Sequence, residues 1–291
     1  MRVTLLLFLL STFLMSSGCV EVRKRYWVED TVLMEETTYV RGVANGPHRS
    51  YYENGALKIE NFYKDDKLEG VSRTYYRNGN LEREENYLHG ELDGPAAAYC
   101  EDGAIKEQVN YSSGKLHGEA LKYHKCTGRL VEIAQYDDGR LVVKEVHFPS
   151  GELKEKANYA NGQLDGPYFC YYDNGTTKEE KHFRAGKYEG TQLFYYPAGA
   201  LKTKATYSDG RLHGELKEFY SDGTPRTVTH YRNGRRNGSR EQFSESGKLW
   251  LRETYEDDKL HGPTTRYDRN GRAKEVIEFK NGEPLPSGSR R

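Results

Sequence analysis

The chain has 291 residues, and its 44 lysine and arginine residues balance 44 aspartate and glutamate residues, so no net charge favours a nucleic-acid partner. Apolar residues make up 35% of the sequence and the mean hydropathy is −0.92, which is low for a globular domain of this length. The 24 tyrosines therefore carry much of the hydrophobic surface on amphipathic rings.

The first 19 residues predict a secretory signal peptide. Arg2 precedes an apolar run over residues 3–10, and small residues at 16–18 precede Cys19. A cysteine after such a site resembles the lipobox of bacterial lipoproteins, although Ser16 stands where that motif usually has leucine. We therefore expect export across the inner membrane and a lipid anchor at Cys19 in the cell envelope, in the outer membrane or periplasm. The alternative is ordinary signal cleavage, which leaves Cys19 as a plain thiol.

Residues 20–45 keep a trace of a 24-residue register, because Leu33 lies 24 positions before Leu57 and Tyr39 lies 24 before Tyr63. Terminal repeats of stacked arrays are atypical. We therefore predict that this segment is a half-repeat that caps the array.

Residues 46–285 form ten units of 24 residues, each counted here from a first residue at offset 0. Glycine occupies offset 0 in nine of them, at Gly46, Gly70, Gly94, Gly118, Gly166, Gly190, Gly214, Gly238 and Gly262. Val142 takes that place in the degenerate unit 142–165, where we expect a local irregularity or bend. Periods of this length indicate an array of supersecondary units. Residues 286–291 have the composition of a disordered tail.

Each unit predicts a β-hairpin followed by a second turn. An aromatic residue at offset 5, such as Tyr51, precedes a turn triplet that ends in glycine, and a second aromatic residue such as Tyr63 stands at offset 17. The triplet suits a three-residue hairpin loop with a left-handed glycine, which would pair offset 5 with offset 11. Turns at ~12-residue spacing favour a β-meander. We predict an all-β fold: an elongated, single-layer, twisted array of consecutive hairpins.

The unit resembles the MORN repeat (membrane occupation and recognition nexus), and more closely its bacterial variant, which is associated with antitoxins. The best matches are LHGE at 116–119 and 212–215 and LHGP at 260–263. The resemblance covers about five-sixths of the chain. It implies an elongated twisted sheet of hairpins that acts as an interaction scaffold.

No set of residues predicts catalysis, a cofactor or a metal. His117, His213 and His261 share one offset in different units, and equivalent positions of neighbouring units are ~10 Å apart. Zinc needs its ligands at ~2 Å, so these histidines cannot share an ion. The same spacing argues against a disulfide between Cys100 and Cys126, although an inserted residue near Cys126 leaves that pairing open.

The tyrosine rows are the candidate binding surface. Offset 6 is predicted to point away from the face on which offsets 5 and 11 pack, so Tyr172 and Tyr196 are expected to project into solvent. The candidate surface comprises Tyr168, Tyr172, Tyr188, Tyr196 and Tyr220. One hypothesis is that the protein is a non-enzymatic envelope scaffold that binds a protein partner. The alternatives are an antitoxin or immunity protein that masks a toxin, and a carbohydrate or peptidoglycan binder.

Overall fold

The computed structural model describes residues 19–27, 31–124 and 126–286, and these residues form strands and turns without any helix. The predicted signal peptide up to residue 18 and the end of the predicted tail lie outside them. Within the described ranges there is no helix of the length and apolarity that a membrane span requires. The chain divides into two compact units, residues 1–142 and 143–291, so the boundary falls at the position where Val142 replaces the repeat glycine.

In the first compact unit, strands pair with their neighbours in sequence, always antiparallel. The strands are β1 (Val20–Tyr26), β2 (Leu33–Val40), β3 (Val43–Tyr51), β4 (Leu57–Lys64), β5 (Lys67–Leu68), β6 (Gly70–Tyr75), β7 (Leu81–Leu88), β8 (Glu91–Leu92), β9 (Gly94–Tyr99), β10 (Ile105–Ser112), β11 (Lys115–Leu116), β12 (Gly118–His124) and β13 (Arg129–Asp137). The short strands β5, β8 and β11 are the return segments after the second turn of a unit.

The second compact unit repeats this meander. Strand β14 (Arg140–His147) crosses the boundary, and it is followed by β15 (Leu153–Ala160), β16 (Gln163–Tyr171), β17 (Thr177–Arg184), β18 (Lys187–Tyr188), β19 (Gly190–Tyr195), β20 (Leu201–Ser208), β21 (Arg211–Phe219), β22 (Pro225–Arg232), β23 (Arg235–Phe243), β24 (Leu249–Glu256), β25 (Lys259–Leu260), β26 (Gly262–Tyr267), β27 (Ala273–Lys280) and β28 (Glu283–Pro284). The predicted all-β array of consecutive hairpins is confirmed.

The first turn has the predicted geometry except in the unit that begins at Gly118, where an inserted residue makes Tyr123 pair with Leu130. Tyr51 pairs with Leu57, so offset 5 pairs with offset 11. The amide of Gly55 donates to the carbonyl of Tyr52 at 2.9 Å, and Gly55 has a φ of 83°. This is the three-residue loop in which a type I turn is closed by a left-handed glycine.

The second turn is a two-residue loop whose type the sequence analysis did not assign. Tyr87 pairs with Leu92 and Leu88 with Glu91, which leaves His89 and Gly90 as the loop. Both have positive φ, 53° and 91°, as a type I′ turn requires. Aspartate or asparagine takes the first loop position in most units, because these residues tolerate left-handed backbone better than most.

The N-terminal segment differs from the predicted half-repeat. Strands β1 and β2 form a complete hairpin, in which Arg25 pairs with Glu35 and Tyr26 with Leu33. Its loop is one residue longer than the loop between Tyr51 and Leu57 in the next unit, which shifts β1 out of the 24-residue grid. The offset count that predicted half a unit could not detect this shift.

Residues that pair across antiparallel strands point to the same side of a sheet, which defines two faces. Face A carries offsets 0, 2, 4, 13, 15, 17 and 22, and face B carries offsets 1, 3, 5, 14 and 16. The most deeply buried side chains lie on face A, among them Ala157, Gln192 and Ala205, which are 0–1% exposed. The sequence predicted that the residues at offsets 5 and 11 form the packed face. That prediction was wrong, because these residues lie on face B and are half-buried, whereas the more deeply buried side chains lie on face A.

Candidate interaction surface

A ladder of side chains joins successive units at offset 6. The hydroxyl of Tyr52 donates to the carbonyl of Tyr75 in the next unit at 2.7 Å, and that of Tyr76 donates to the carbonyl of Tyr99 at 2.8 Å. The other rungs of this offset-6 ladder are Trp27 to Tyr51 (3.4 Å), Tyr172 to Tyr195 (2.8 Å), Tyr196 to Phe219 (2.8 Å) and Tyr220 to Phe243 (3.0 Å). Each rung satisfies a carbonyl at a turn where the regular strand pairing ends.

Three of the predicted binding residues, Tyr172, Tyr196 and Tyr220, belong to this ladder. Their rings are half-buried, and the Lys178 and Lys202 ammonium groups lie 5.9 and 5.6 Å from the ring centroids of Tyr172 and Tyr196. The prediction that Tyr172 and Tyr196 project freely into solvent was wrong. At offset 6 the chain enters its turn, so the ring lies along the sheet towards the next unit. Whether these residues bind a partner stays a prediction.

A disulfide takes one rung of the ladder. Cys100 stands at offset 6 and is bonded to Cys126, with the two Cα atoms 5.7 Å apart, so the expectation against this disulfide was wrong. The ~10 Å estimate applies to equivalent positions of neighbouring units, whereas these cysteines occupy offsets 6 and 8. An offset-6 side chain already reaches the next unit, and the inserted residue shapes the turn that contains Cys126. In the described residues, Cys19 and Cys170 are free thiols, and Cys19 is exposed.

The remaining predicted residues, Tyr168 and Tyr188, lie in an aromatic cluster on face A. The Phe183 ring is 6.0 Å from that of Tyr168 and 5.0 Å from that of Tyr188, and Tyr188 lies 5.1 Å from Tyr207. The Lys181 ammonium sits within this cluster, 5.2 Å from the Tyr168 centroid and 5.8 Å from that of Tyr188. The structure thus brings Tyr168 and Tyr188 together in one cluster, and the Lys181 ammonium lies close to both rings.

Lys181 stays charged in this setting. Burial opposes its charged form, but the Glu179 carboxylate at 2.6 Å outweighs that effect and raises the pKa of Lys181. Burial, with Glu155 nearby, also raises the pKa of the Tyr168 hydroxyl. The cluster therefore holds an ammonium ion against neutral aromatic rings, an arrangement that contributes cation–π attraction.

On face B, polar side chains of neighbouring strands contact one another. The Tyr195 hydroxyl at offset 5 donates to Glu180 of the preceding unit at 2.9 Å, and burial together with this hydrogen bond raises its pKa to about 12. Arg73 pairs with Glu84 across the same hairpin at 2.7 Å. Equivalent contacts join Tyr123 to Gln108, Arg49 to Glu60 and Arg252 to Glu241. Much of the polar surface on this face is thus engaged within the sheet.

One depression on face A departs from the repeat, and we call it the alanine groove. Its floor is Ala96 and Ala98 of β9, and its walls are Arg83 and Glu85 of β7 and Glu107, Val109 and Tyr111 of β10. Ala98 pairs with Arg83 on one side and with Glu107 on the other. Because β9 lies between them, the two walls are ~10 Å apart. The groove is open to solvent, and about 260 Å³ of unoccupied space, part of it open solvent, lies over its lining residues.

The two walls of the groove differ in their charge pairing. Glu85 accepts hydrogen bonds from Arg83 at 2.9 Å and from the Tyr87 hydroxyl at 3.0 Å. Burial and the Glu85 carboxylate raise the pKa of Tyr87 to about 12. On the opposite wall, Glu107 is exposed. The Arg83 guanidinium acts electrostatically on both Glu85 and Glu107, and because two carboxylates face one cation the groove carries a net negative charge.

Sequence reasoning missed the groove, although a signal was present. Residues 95–99 read PAAAY, and this is the one unit of the ten with alanine at both offsets 2 and 4. At those offsets the unit that begins at Gly190 has Gln192 and Phe194. A residue-by-residue comparison of the units would have predicted a gap on this face.

The repeat pattern has a match among known families. The model for the MORN repeat variant matches residues 44–65, 68–89, 164–185, 188–209, 212–233 and 236–257. This chain is a MORN-variant repeat protein. The matched segments bracket the disulfide-containing units and the degenerate unit, where the repeat departs most from its pattern. Among curated proteins, none matches the chain.

Solved structures give distant similarities to this MORN-variant protein. A crystal structure of TcdB2-TccC3 is 14% identical, with a TM-score of 0.19, over 89% of this chain and 15% of that chain. A crystal structure of TcdB2-TccC3-Cdc42 is 12% identical, with a TM-score of 0.20, over 90% of this chain and 17% of that chain. The chain spans less than a fifth of the length of either protein.

Within the described ranges, no group of three or more histidine, cysteine, aspartate or glutamate side chains is placed to hold a metal ion. The titratable groups with shifted pKa values are tyrosines, arginines and carboxylates, together with Lys181 and His48, and most of them lie in pairs or hydrogen bonds of the repeat itself, such as Tyr195 with Glu180 and Arg73 with Glu84. The described residues therefore present two sheet faces as surfaces for binding, and face A carries the alanine groove.

Proposed function

We propose that this protein is a repeat scaffold of the cell envelope that binds a protein partner across several adjacent hairpins. The observation that carries the proposal is the exposure of large apolar side chains on a single-layer sheet. Phe62 is 45% exposed, Trp250 44% and Val276 56%, and no second layer from the same compact unit covers them in the described residues. Exposed apolar side chains mark an interaction site where they form a contiguous patch, so we place the docking face where such residues adjoin across neighbouring hairpins.

The envelope assignment rests on two cysteine observations. Disulfides persist in oxidising compartments such as the bacterial periplasm, and the Cys100–Cys126 bond favours such a setting. Cys19 is exposed and free at the start of β1, which leaves its thiol accessible for the lipid that the sequence predicts. We therefore propose that a lipid at Cys19 holds the scaffold at a membrane surface.

A paired crosslinking experiment tests partner binding. A photoreactive residue is placed at Thr74 on face A or at Val71 on face B of the same strand, β6, in the full chain in cells. We expect one defined protein to crosslink from one face and from the same face of a neighbouring unit, because binding energy is spread over adjacent repeats. Crosslinks of equal strength from both faces, or none from either, would contradict a specific docking face.

Fractionation tests the anchor separately. Cys19→Ser should move the protein from the membrane fraction to the soluble periplasmic fraction, while its unfolding transition stays unchanged. A wild-type chain that is already soluble and has an unmodified Cys19 at its N-terminus would sink the lipid-anchor proposal and leave the scaffold proposal standing.

A further inference from the structure

The alanine groove lies in a repeat unit that is joined to both of its neighbours by side-chain contacts. On one side, the Tyr76 hydroxyl bonds the carbonyl of Tyr99, and the amides of Asn78 and Asn80 bond the carbonyl of Glu101 at 2.9 and 2.8 Å. On the other side, Cys100 is bonded covalently to the next unit. A groove held in this way loses little conformational freedom when it is occupied, which favours binding.

The chemistry of the groove selects its occupant. Its floor is apolar, formed by Ala96 and Ala98, and its β10 wall carries Val109 two residues from the carboxylate of Glu107. An extended aliphatic chain that ends in a positive charge complements both parts. A lysine side chain has this form, with a methylene stem that packs on apolar surface and a compact ammonium that donates three hydrogen bonds.

We propose that the alanine groove receives a lysine side chain of a protein partner, with its methylene stem on Ala96, Ala98 and Val109 and its ammonium at Glu107. The proposal rests on the scaffold function and names the contact through which that scaffold recognises its partner. Arginine is the competing occupant, because its planar fork pairs with a carboxylate through two hydrogen bonds, and the titration described next distinguishes the two. The groove's other carboxylate, Glu85, is already bonded to Arg83 and Tyr87.

The test is a titration of the full chain, isotopically labelled at its alanine methyl groups, with capped pentapeptides that carry one central residue between glycines. Central lysine is compared with norleucine, which has the same stem without the charge, and with arginine and glutamate. The lysine peptide should shift the methyl resonances of Ala96 and Ala98 and bind about two- to fivefold more tightly than the norleucine peptide, as expected for an exposed ion pair.

Two variants locate the contact. Glu107→Gln should reduce lysine-peptide binding to that of the norleucine peptide, and because Glu107 is exposed the fold should be unaffected. Ala98→Leu fills the groove and should abolish binding of both peptides. Thr74→Leu, at the same offset of the preceding unit, is the matched control and should leave binding unchanged.

Equal binding of lysine and norleucine would overturn the role of Glu107, and tighter binding of arginine would overturn the choice of lysine. Tighter binding of glutamate would mean that Arg83 selects an anion. No shift of the Ala96 and Ala98 methyl groups with any peptide would overturn the site. If the crosslinked partner is captured equally by wild type and by Ala98→Leu, the groove proposal fails while the scaffold stands; if the lysine peptide binds as expected and no partner crosslinks, the scaffold proposal fails.

Discussion

Residues 94–126 and residues 166–220 build the same repeat in opposite ways. In the first region the rung at offset 6 is covalent, Cys100 to Cys126, and the floor of face A is reduced to alanine. In the second region the rungs are the hydroxyls of Tyr172 and Tyr196, and face A is filled by Lys181 and its aromatic neighbours. The repeat thus determines which offset joins two units and which offsets lie on face A. Different residue types can occupy these offsets.

The largest expected effect comes from removing the covalent rung. Cys100→Ser should lower the free energy of unfolding by about 3 kcal/mol, because the bond closes a loop with a sequence separation of 26 residues and its loss frees the unfolded chain. Denaturant unfolding measures the change.

The same loss should follow when the wild type is unfolded with a dithiol reductant, and Cys170→Ser, which removes a free thiol, is the control. If Cys170→Ser costs as much as Cys100→Ser, the disulfide is not the source of the stability.

The hydrogen-bonded rungs should each contribute less. The double variant Tyr172→Phe with Tyr196→Phe keeps both rings and removes both hydroxyls, and should cost about 2 kcal/mol in total, about 1 for each hydrogen bond. The matched pair Tyr52→Phe with Tyr76→Phe in the other compact unit should cost the same. Unfolding free energies that do not change in either pair would show that the hydroxyls do not join the units.

Alkaline pH should weaken both compact units through single tyrosines. The pKa values of Tyr87 and Tyr195 are raised to about 12, so the neutral hydroxyl is favoured in the folded state. Their contribution is therefore complete below pH 10, the unfolded value, and is lost as the pH rises from about 10 to 12.

Tyr195→Phe should flatten the fall in unfolding free energy over that pH range, and absorbance of the phenolate in the wild type should show late-titrating tyrosines. A wild-type chain in which every tyrosine ionises near pH 10 would contradict both shifts.

The smallest expected effect concerns the two-residue turns. Ala185 holds a φ of 48° in the first loop position, where an alanine is strained, so Ala185→Asn should stabilise the fold by about 0.5 kcal/mol. His89→Asn in the other compact unit should gain less, because histidine tolerates the left-handed region better than alanine does. A loss of stability at Ala185 would mean that the turn is not limited by backbone strain.

The sequence alone was sufficient for the repeat type, the hairpin register and the three-residue turns. These follow from local rules: Gly55 supplies the positive φ that its loop needs, and Tyr51 pairs with Leu57 because the loop length leaves no other register. Such rules act over a few residues, so the 24-residue pattern repeats them in every unit except the one that begins at Gly118.

What only the tertiary structure decided are the contacts between one unit and the next. The ring of Tyr172 lies along the sheet because its hydroxyl donates a hydrogen bond to the carbonyl of Tyr195 in the following unit. Cys100 is bonded to Cys126 of the next unit, in the turn that holds the inserted residue. The alanine groove likewise exists only where β9 lies between the side chains of β7 and β10. Periodicity gives the order of residues along a strand, but which side chain meets which across two units depends on the position of the whole neighbouring hairpin.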